Sequence, residues 1–280
     1  MRATKQKLII SGSILELYNY QSPVFYGAKD EEPKKTEEKK QKREKGKISP
    51  SSVYRAKANL RRRITANGWA WKDNLGNKFM PIFITLTFKE NITDLKIAHK
   101  EFTDFIQRFN YLVNDGKAVN LKYICVPEFQ KRGAVHYHMI LFNLPKLSVY
   151  KLKKIHATWR QGSYRLEKIT DIKKMIVYVA KYITKQMADE RFFGQKKYFA
   201  SKDLLKPVVV RDEATINEIM KFVPKESKTF ENEWENKWTI KTTYQYFVLK
   251  EDISVDDFPL DNISKIVLRS ASKQANNPRV

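Results

Sequence analysis

The 280-residue chain is long enough for one large domain or one domain with extensions, and its 42% hydrophobic content is enough for a core. The formal net charge is +23, and its distribution is uneven. Residues 1–207 hold 43 Lys and Arg against 19 Asp and Glu, whereas residues 208–280 hold 11 against 12. Such a basic surface predicts a nucleic-acid partner. The single cysteine, Cys125, excludes an internal disulfide and a thiolate zinc cluster.

The sequence lacks several kinds of site. It has no signal peptide and no apolar run approaching ~18 residues, so we expect no membrane contact and a cytoplasmic location. It has no GxxxxGK[ST] motif, so we expect no nucleotide cofactor. If DNA strands must be separated, another protein has to supply that activity.

The N-terminal part predicts strands and then a linker. Residues 6–26 predict one or two strands around Ser11-Gly12-Ser13. Residues 30–47 contain nothing able to build a core and predict a disordered linker or a solvated helix.

A basic helix is predicted over residues 53–66, with Tyr54, Leu60 and Ile64 on its apolar side. Its basic residues form either a solvated face or a surface that grips phosphates, and we assign them provisionally to DNA contact; they include Arg61, Arg62 and Arg63.

A strand and a helix come next. Residues 83–88 are β-branched and aromatic, which predicts a strand with Thr85 and Thr87 on one face. Residues 95–113 carry apolar side chains at helical spacing and predict a packing helix that begins after residues 91–94. We interpret His99, near that apolar stripe, as a surface histidine.

Two strands then bring acid and imidazole groups together. Residues 122–128 predict a strand, and the following strand contains His136 and His138, which share a face because side chains alternate. A three-residue turn ending at Gly133 would place Glu128 across from His136. A two-residue turn would move Glu128 to the opposite face.

In the first register His136, His138 and Glu128 form a cluster with open coordination positions. That donor set suits Mg²⁺ or Mn²⁺ acting on a phosphate. The alternative is a pair of hydrogen-bonded core histidines.

The remaining elements complete an α+β pattern. Residues 147–160 predict a helix, residues 163–169 a strand, and residues 171–187 a helix capped by Asp171. The order of elements predicts a largely antiparallel central sheet with helices packed on it.

The last of these helices carries a pair of tyrosines. Tyr178 and Tyr182 are four residues apart and share one side of the helix, and each is followed three residues later by a lysine, Lys181 and Lys185. A nearby ammonium group favours the phenolate, so these tyrosines are candidate nucleophiles. The alternative is two tyrosines at the edge of the core.

The C-terminal third divides into two parts. Residues 191–206 are basic and aromatic, with Lys196 and Lys197 as candidate phosphate contacts, and their rings could stack on bases or belong to the core. Residues 208–280 predict a strand or two packing onto the domain, and their acidic balance argues against a DNA-gripping role.

Taken together, the strand at 83–88, the segment 128–138 and the segment 178–185 resemble the three ordered motifs of HUH endonucleases. More narrowly, they resemble rolling-circle replication initiators of small phages, plasmids and single-stranded DNA viruses. The resemblance covers residues 80–190. It implies an RRM-like or ferredoxin-like sheet with a divalent metal on His136, His138 and Glu128, beside the tyrosine helix. The two tyrosines and the absence of a third histidine favour an initiator over a relaxase.

The resemblance also implies a function and a domain plan. We expect site-specific nicking and rejoining of single-stranded DNA at an origin hairpin through a phosphotyrosyl intermediate, with a separate helicase and polymerase from a bacterial host. The alternatives are an HUH transposase or mobilisation relaxase, and a non-catalytic DNA-binding protein. The expected parts are 1–48, a nicking domain at 49–207, and an extension at 208–280. Within the nicking domain the expected DNA contacts include Thr85, Thr87 and Arg132.

Overall fold

The computed structural model describes residues 2–27, 50–115, 120–171, 189–192, 198–235, 241–250 and 255–276. Within these residues the protein is a mixed α+β structure with two five-stranded antiparallel sheets and five α-helices, which confirms the predicted class. The chain forms two compact units. The first unit joins Met1–Ser49 to Leu205–Val280, and the second is Pro50–Leu204. No helix in the described ranges is both long and apolar enough to cross a membrane.

The regular elements agree closely with the predicted ones in the central part of the chain. In chain order they are β1 (Arg2–Ser11), β2 (Ile14–Tyr26), α1 (Pro50–Asn67), β3 (Ile82–Phe88), α2 (Leu95–Val113), β4 (Tyr123–Phe129), β5 (Val135–Leu141), α3 (Val149–Trp159), β6 (Gly162–Lys168), β7 (Phe199–Ala200), β8 (Val208–Val210), α4 (Glu213–Lys221), β9 (Lys228–Glu235), β10 (Lys241–Val248) and α5 (Asn262–Asn276).

The first unit is built on a sheet with the strand order β8-β1-β2-β10-β9. Its first two strands form the predicted hairpin, which turns at Gly12 with a φ of +62°. One face of the sheet, around Leu8 and Leu17, packs with apolar residues of α4 and α5 such as Ile216 and Leu268. Strands from both ends of the chain therefore share one sheet and one core.

The second unit is built on a sheet with the order β6-β3-β5-β4-β7. Helix α2 supplies much of its core, because Phe102, Phe105 and Phe109 recur at helical spacing and are fully buried. Asp94 caps the helix by accepting hydrogen bonds from the amides of Lys96 and Ile97. The helix therefore covers one face of the sheet.

Helix α1 follows its predicted pattern only in part. Leu60 and Ile64 are buried as expected, but Tyr54 is 71% exposed, so its assignment to the apolar side was wrong. Tyr54 lies in the first turns of the helix, before the buried residues begin.

Three predicted features lie outside the described residues: the linker at 30–47, the helix at 172–187 with both tyrosines and their lysines, and the pair Lys196 and Lys197.

Candidate metal centre

The hairpin of β4 and β5 places the predicted ligands in register. Gly133 has a φ of +89°, a left-handed conformation that glycine adopts without strain, and its amide donates to the Gln130 carbonyl at 2.9 Å. Glu128 pairs directly with His136. The predicted three-residue connection is therefore confirmed, and the register with Glu128 on the other face is excluded.

His138 is held by three neighbours. Its Nε2 atom lies 2.8 Å from Oε2 of Glu128, and its Nδ1 atom lies 3.4 Å from the Thr85 hydroxyl. Its ring stacks on Phe83 with the centroids 5.8 Å apart. The side chain is only 7% exposed, so these contacts fix its position beside the carboxylate.

His136 differs from its neighbour in lacking such contacts. Its ring centroid lies 6.2 Å from that of His138, and its Nε2 atom is buried without a hydrogen-bond partner among the described residues. Burial lowers the pKa of His136 to about 4; His138 and Arg132 also lower it, and Glu128 opposes them. The imidazole is therefore neutral at physiological pH, which is the form that binds metals.

The donor set fits a divalent ion, although the side chains do not converge on one point. Among the described residues, no three His, Cys, Asp or Glu side chains are arranged as a metal site, because Glu128 is directed at Nε2 of His138. Buried polar atoms are normally satisfied, so the unpaired Nε2 of His136 is a ready ligand. One carboxylate and two imidazoles suit Mn²⁺ well and Mg²⁺ less well, since Mg²⁺ prefers oxygen.

The predicted DNA contacts on this sheet lie close to the histidines. Thr85 pairs with His138 and Thr87 with His136 across β3 and β5. Arg132 donates to the Phe88 carbonyl at 2.7 Å, which holds its exposed side chain at the end of β3. These three residues therefore surround one end of the histidine face.

The three arginines of α1 are half-buried rather than fully solvated. The Nε atom of Arg63 is buried and has no hydrogen-bond partner in the described part of the chain. That position is compatible with a phosphate contact, and the role of Arg61, Arg62 and Arg63 stays a prediction.

The tyrosine half of the predicted site is not described. Tyr178, Tyr182, Lys181 and Lys185 lie outside the described residues, and so do Lys196 and Lys197. Their closeness to the histidine face stays a prediction.

His99 was wrongly interpreted as a surface residue. Its Nδ1 atom lies 2.7 Å from the hydroxyl of Tyr137, and its ring is 4.8 Å from that of Phe199. Burial raises the pKa of Tyr137 far above its ordinary value, so the hydroxyl stays neutral and needs a partner. The alternation of β5 contained the signal, because it turns Tyr137 away from the two histidines and into the core.

Two buried aromatic side chains support the strands of the site. Trp159 is fully buried, and its Nε1 atom donates to the Thr87 carbonyl at 3.0 Å, which ties α3 to the strand beside the histidines. The sequence gave no indication of that contact. Phe192 is also fully buried and packs on Phe129, so the core interpretation of that ring is confirmed.

We expect acid to destabilise the protein partly through His136. In the unfolded chain this imidazole titrates near 6.5, whereas in the folded protein it stays neutral until about pH 4. Between those values the unfolded state binds the additional proton, so the free energy of unfolding falls as the pH falls. The side chain is partly exposed, which reduces the expected loss to about 1–2 kcal/mol.

Urea unfolding in EDTA, at neutral pH and at about pH 4.5, measures this loss. The variant His136→Gln should lose less stability than the wild type over that interval, and His156→Gln, on an exposed position of α3, should behave like the wild type. Equal losses in His136→Gln and the wild type would contradict the prediction.

The comparisons with known proteins point to replication. Residues 81–187 match a family model that describes replication-associated proteins of the ORF2 type. Over these residues the chain is similar to that family. The matched span begins just before β3, contains the histidine hairpin, and extends over both predicted tyrosines. No match was found among curated proteins or solved structures.

Proposed function

We propose that this protein nicks and rejoins single-stranded DNA to initiate rolling-circle replication of a phage-type genome. One observation carries the proposal: the span that matches the replication-associated family contains a hairpin with Glu128, His136 and His138 on one face. The family description favours replication over the transposase and mobilisation alternatives. The non-catalytic alternative gives no reason for a buried, unpaired imidazole nitrogen beside a carboxylate.

In this proposal His136, His138 and Glu128 hold a divalent ion. Such an ion supplies Lewis acidity, which draws electron density from a phosphoryl oxygen and makes the phosphorus easier to attack. The neutral state of His136 leaves its Nε2 lone pair available for coordination. Thr85, Thr87 and Arg132 surround the phosphate and orient the strand.

The nucleophile is a tyrosine hydroxyl of the 172–188 segment. Its oxygen bonds to phosphorus while the bond from phosphorus to the 3′ oxygen breaks, which leaves a 5′-phosphotyrosyl end and a free 3′-OH. The proton lost by the tyrosine balances the proton gained by the 3′ oxygen. The ammonium groups of Lys181 and Lys185 favour the phenolate and thereby strengthen the nucleophile.

Two tyrosines allow the reaction to run twice within one protein. The first, which we assign to Tyr178, holds the 5′ end while the 3′-OH primes synthesis. The second, Tyr182, then cleaves the regenerated site, and the new 3′-OH attacks the first phosphotyrosyl bond to close a circle. Each step exchanges one phosphoester for another, so neither needs ATP. Strand separation and synthesis fall to a separate helicase and polymerase.

A covalent-capture experiment with random DNA tests the proposal, so the origin sequence need not be chosen beforehand. The full-length protein is incubated with Mn²⁺ and a pool of random single-stranded hairpin oligonucleotides, denatured, and separated by size. We expect protein–DNA adducts that resist denaturation and that disappear with EDTA. Sequencing the captured DNA would then define the cleavage site.

The variants decide which groups react. The double variant Tyr178→Phe, Tyr182→Phe should form no adduct, whereas each single variant should retain cleavage but lose circle closure. Adducts from the double variant, or cleaved DNA with unblocked 5′ ends, would refute the tyrosine mechanism. The second outcome would indicate hydrolysis by water.

A further inference from the structure

One face of the first unit's sheet carries six aromatic side chains on three adjacent strands. We call them the aromatic platform; they are Tyr18, Tyr20, Phe230, Trp234, Tyr244 and Tyr246. Strand pairing brings them to one side, since Tyr18 lies opposite Tyr244, and Tyr246 lies opposite Phe230. The other side of this sheet carries Leu17 and Phe247 and packs with α4 and α5. The rings of the platform are therefore additional to the core.

The platform rings contact one another and still expose their edges and faces. The centroids of Tyr18 and Tyr244 are 4.9 Å apart, and those of Trp234 and Tyr244 are 6.1 Å apart. At the edge strand, Phe230 is 54% exposed and Trp234 is 39% exposed. An exposed cluster of large rings of this kind marks a binding surface.

Positive charge borders the platform. The Lys7 ammonium lies 4.1 Å from the centroid of Tyr18 and 6.0 Å from that of Tyr20. The Arg211 guanidinium lies 5.0 Å from the centroid of Tyr26 at the end of the same strand. Burial raises the pKa of Tyr20 and Arg211 opposes that effect, so the guanidinium also acts on this ring.

Negative charge is sorted to the opposite face. Glu231 and Glu233 alternate with the platform residues of β9, and they accept hydrogen bonds from Gln245 and Thr243 on the other side of the sheet. Lys241 pairs with Glu233 there at 2.8 Å. Glu16, which shares the platform face, is fully buried. The acidic balance of residues 208–280 therefore does not argue against DNA at this surface.

We propose that the aromatic platform binds single-stranded DNA by stacking bases on its rings, at a site separate from the histidine face. Aromatic side chains beside cations are the usual means by which proteins hold unpaired bases without regard to sequence. The choice of DNA as the occupant rests on the function proposed above. The platform then holds the displaced strand after the nick, while the histidine face performs the chemistry.

Binding of labelled oligothymidylate to the full-length protein tests the platform. The double variant Phe230→Ala, Trp234→Ala should bind the single strand at least about tenfold more weakly. Because no charge is removed, the dependence of affinity on salt should not change, and duplex DNA should bind as before. The matched control is Tyr111→Ala, which removes a ring that is 71% exposed on α2.

Conservative variants separate stacking from a loss of folding. Trp234→Tyr keeps a ring and should retain most of the affinity, whereas Trp234→Leu keeps apolar bulk without a ring and should not. Wild-type affinity in the double variant would overturn the proposal. So would a dimer in the wild type that becomes a monomer in the double variant, since the platform would then be an interface between copies.

The covalent-capture experiment keeps this proposal distinct from the nicking proposal. If adducts form but binding ignores the platform, the platform proposal fails and the nicking enzyme remains. If no adduct forms but binding depends on the platform, the platform stands and the nicking proposal fails.

Discussion

The variant His138→Ala should lose divalent-metal affinity by at least about 100-fold and form no detectable adduct with single-stranded DNA. His138 is buried between Phe83 and Glu128, and its Nε2 atom contacts the carboxylate at 2.8 Å. Its removal deletes one proposed ligand and leaves the Glu128 carboxylate without its imidazole partner. Calorimetric titration with Mn²⁺ measures the first effect, and the capture experiment measures the second.

Two matched changes show whether the effect belongs to the site. His156→Ala removes an exposed histidine on α3 and should leave Mn²⁺ affinity and adduct formation unchanged. His136→Ala should behave like His138→Ala, because both imidazoles are proposed ligands. If His138→Ala bound Mn²⁺ as tightly as the wild type, the ion would have to lie elsewhere.

Much of the second unit could be predicted because its signals are local. Gly133 determines the turn, the turn determines the register, and the register places Glu128 opposite His136. Helix α2 was predictable for the same reason, since the spacing of its apolar residues requires one buried face. Both inferences need only neighbouring residues and the geometry of a single element.

The arrangement of the first unit could not be predicted because it depends on distant parts of the chain. Strand β10 pairs with β2 through contacts such as Tyr244 with Tyr18, which are more than 200 residues apart. No local pattern specifies such a pairing. The charge of residues 208–280 was misleading for a related reason, since a sum over the chain ignores the two faces of β9.

The misinterpretation of His99 has a similar physical origin. A helix pattern places a residue near the apolar stripe but does not identify its partner on another element. Here the partner is Tyr137, whose hydroxyl lies 2.7 Å away, and that contact joins α2 to β5. A buried tyrosine in the middle of β5 implies that some polar group must reach it.

We expect Gly162→Ala to destabilise the histidine-bearing sheet by about 4 kcal/mol. Gly162 has a φ of +153°, and an added Cβ would lie 2.3 Å from the Thr87 carbonyl oxygen and 2.5 Å from the Lys89 nitrogen. Both are backbone atoms, so no rotamer change can relieve the overlap. The Thr87 carbonyl is also held by the buried indole of Trp159 at 3.0 Å, so moving it breaks a second contact. Urea unfolding measures the loss.

Gly27→Ala is the matched control because it separates backbone strain from overlap. Gly27 also has a positive φ, +76°, but a Cβ there would meet nothing within 4 Å, so its cost should be about 1 kcal/mol. The larger loss at Gly162 should come with weaker Mn²⁺ binding, because Thr87 pairs with His136 in the adjacent strand. Equal costs at the two glycines would mean that β3 and β6 can separate slightly at little cost. The precise placement of Thr87 would then be unimportant for the histidine face.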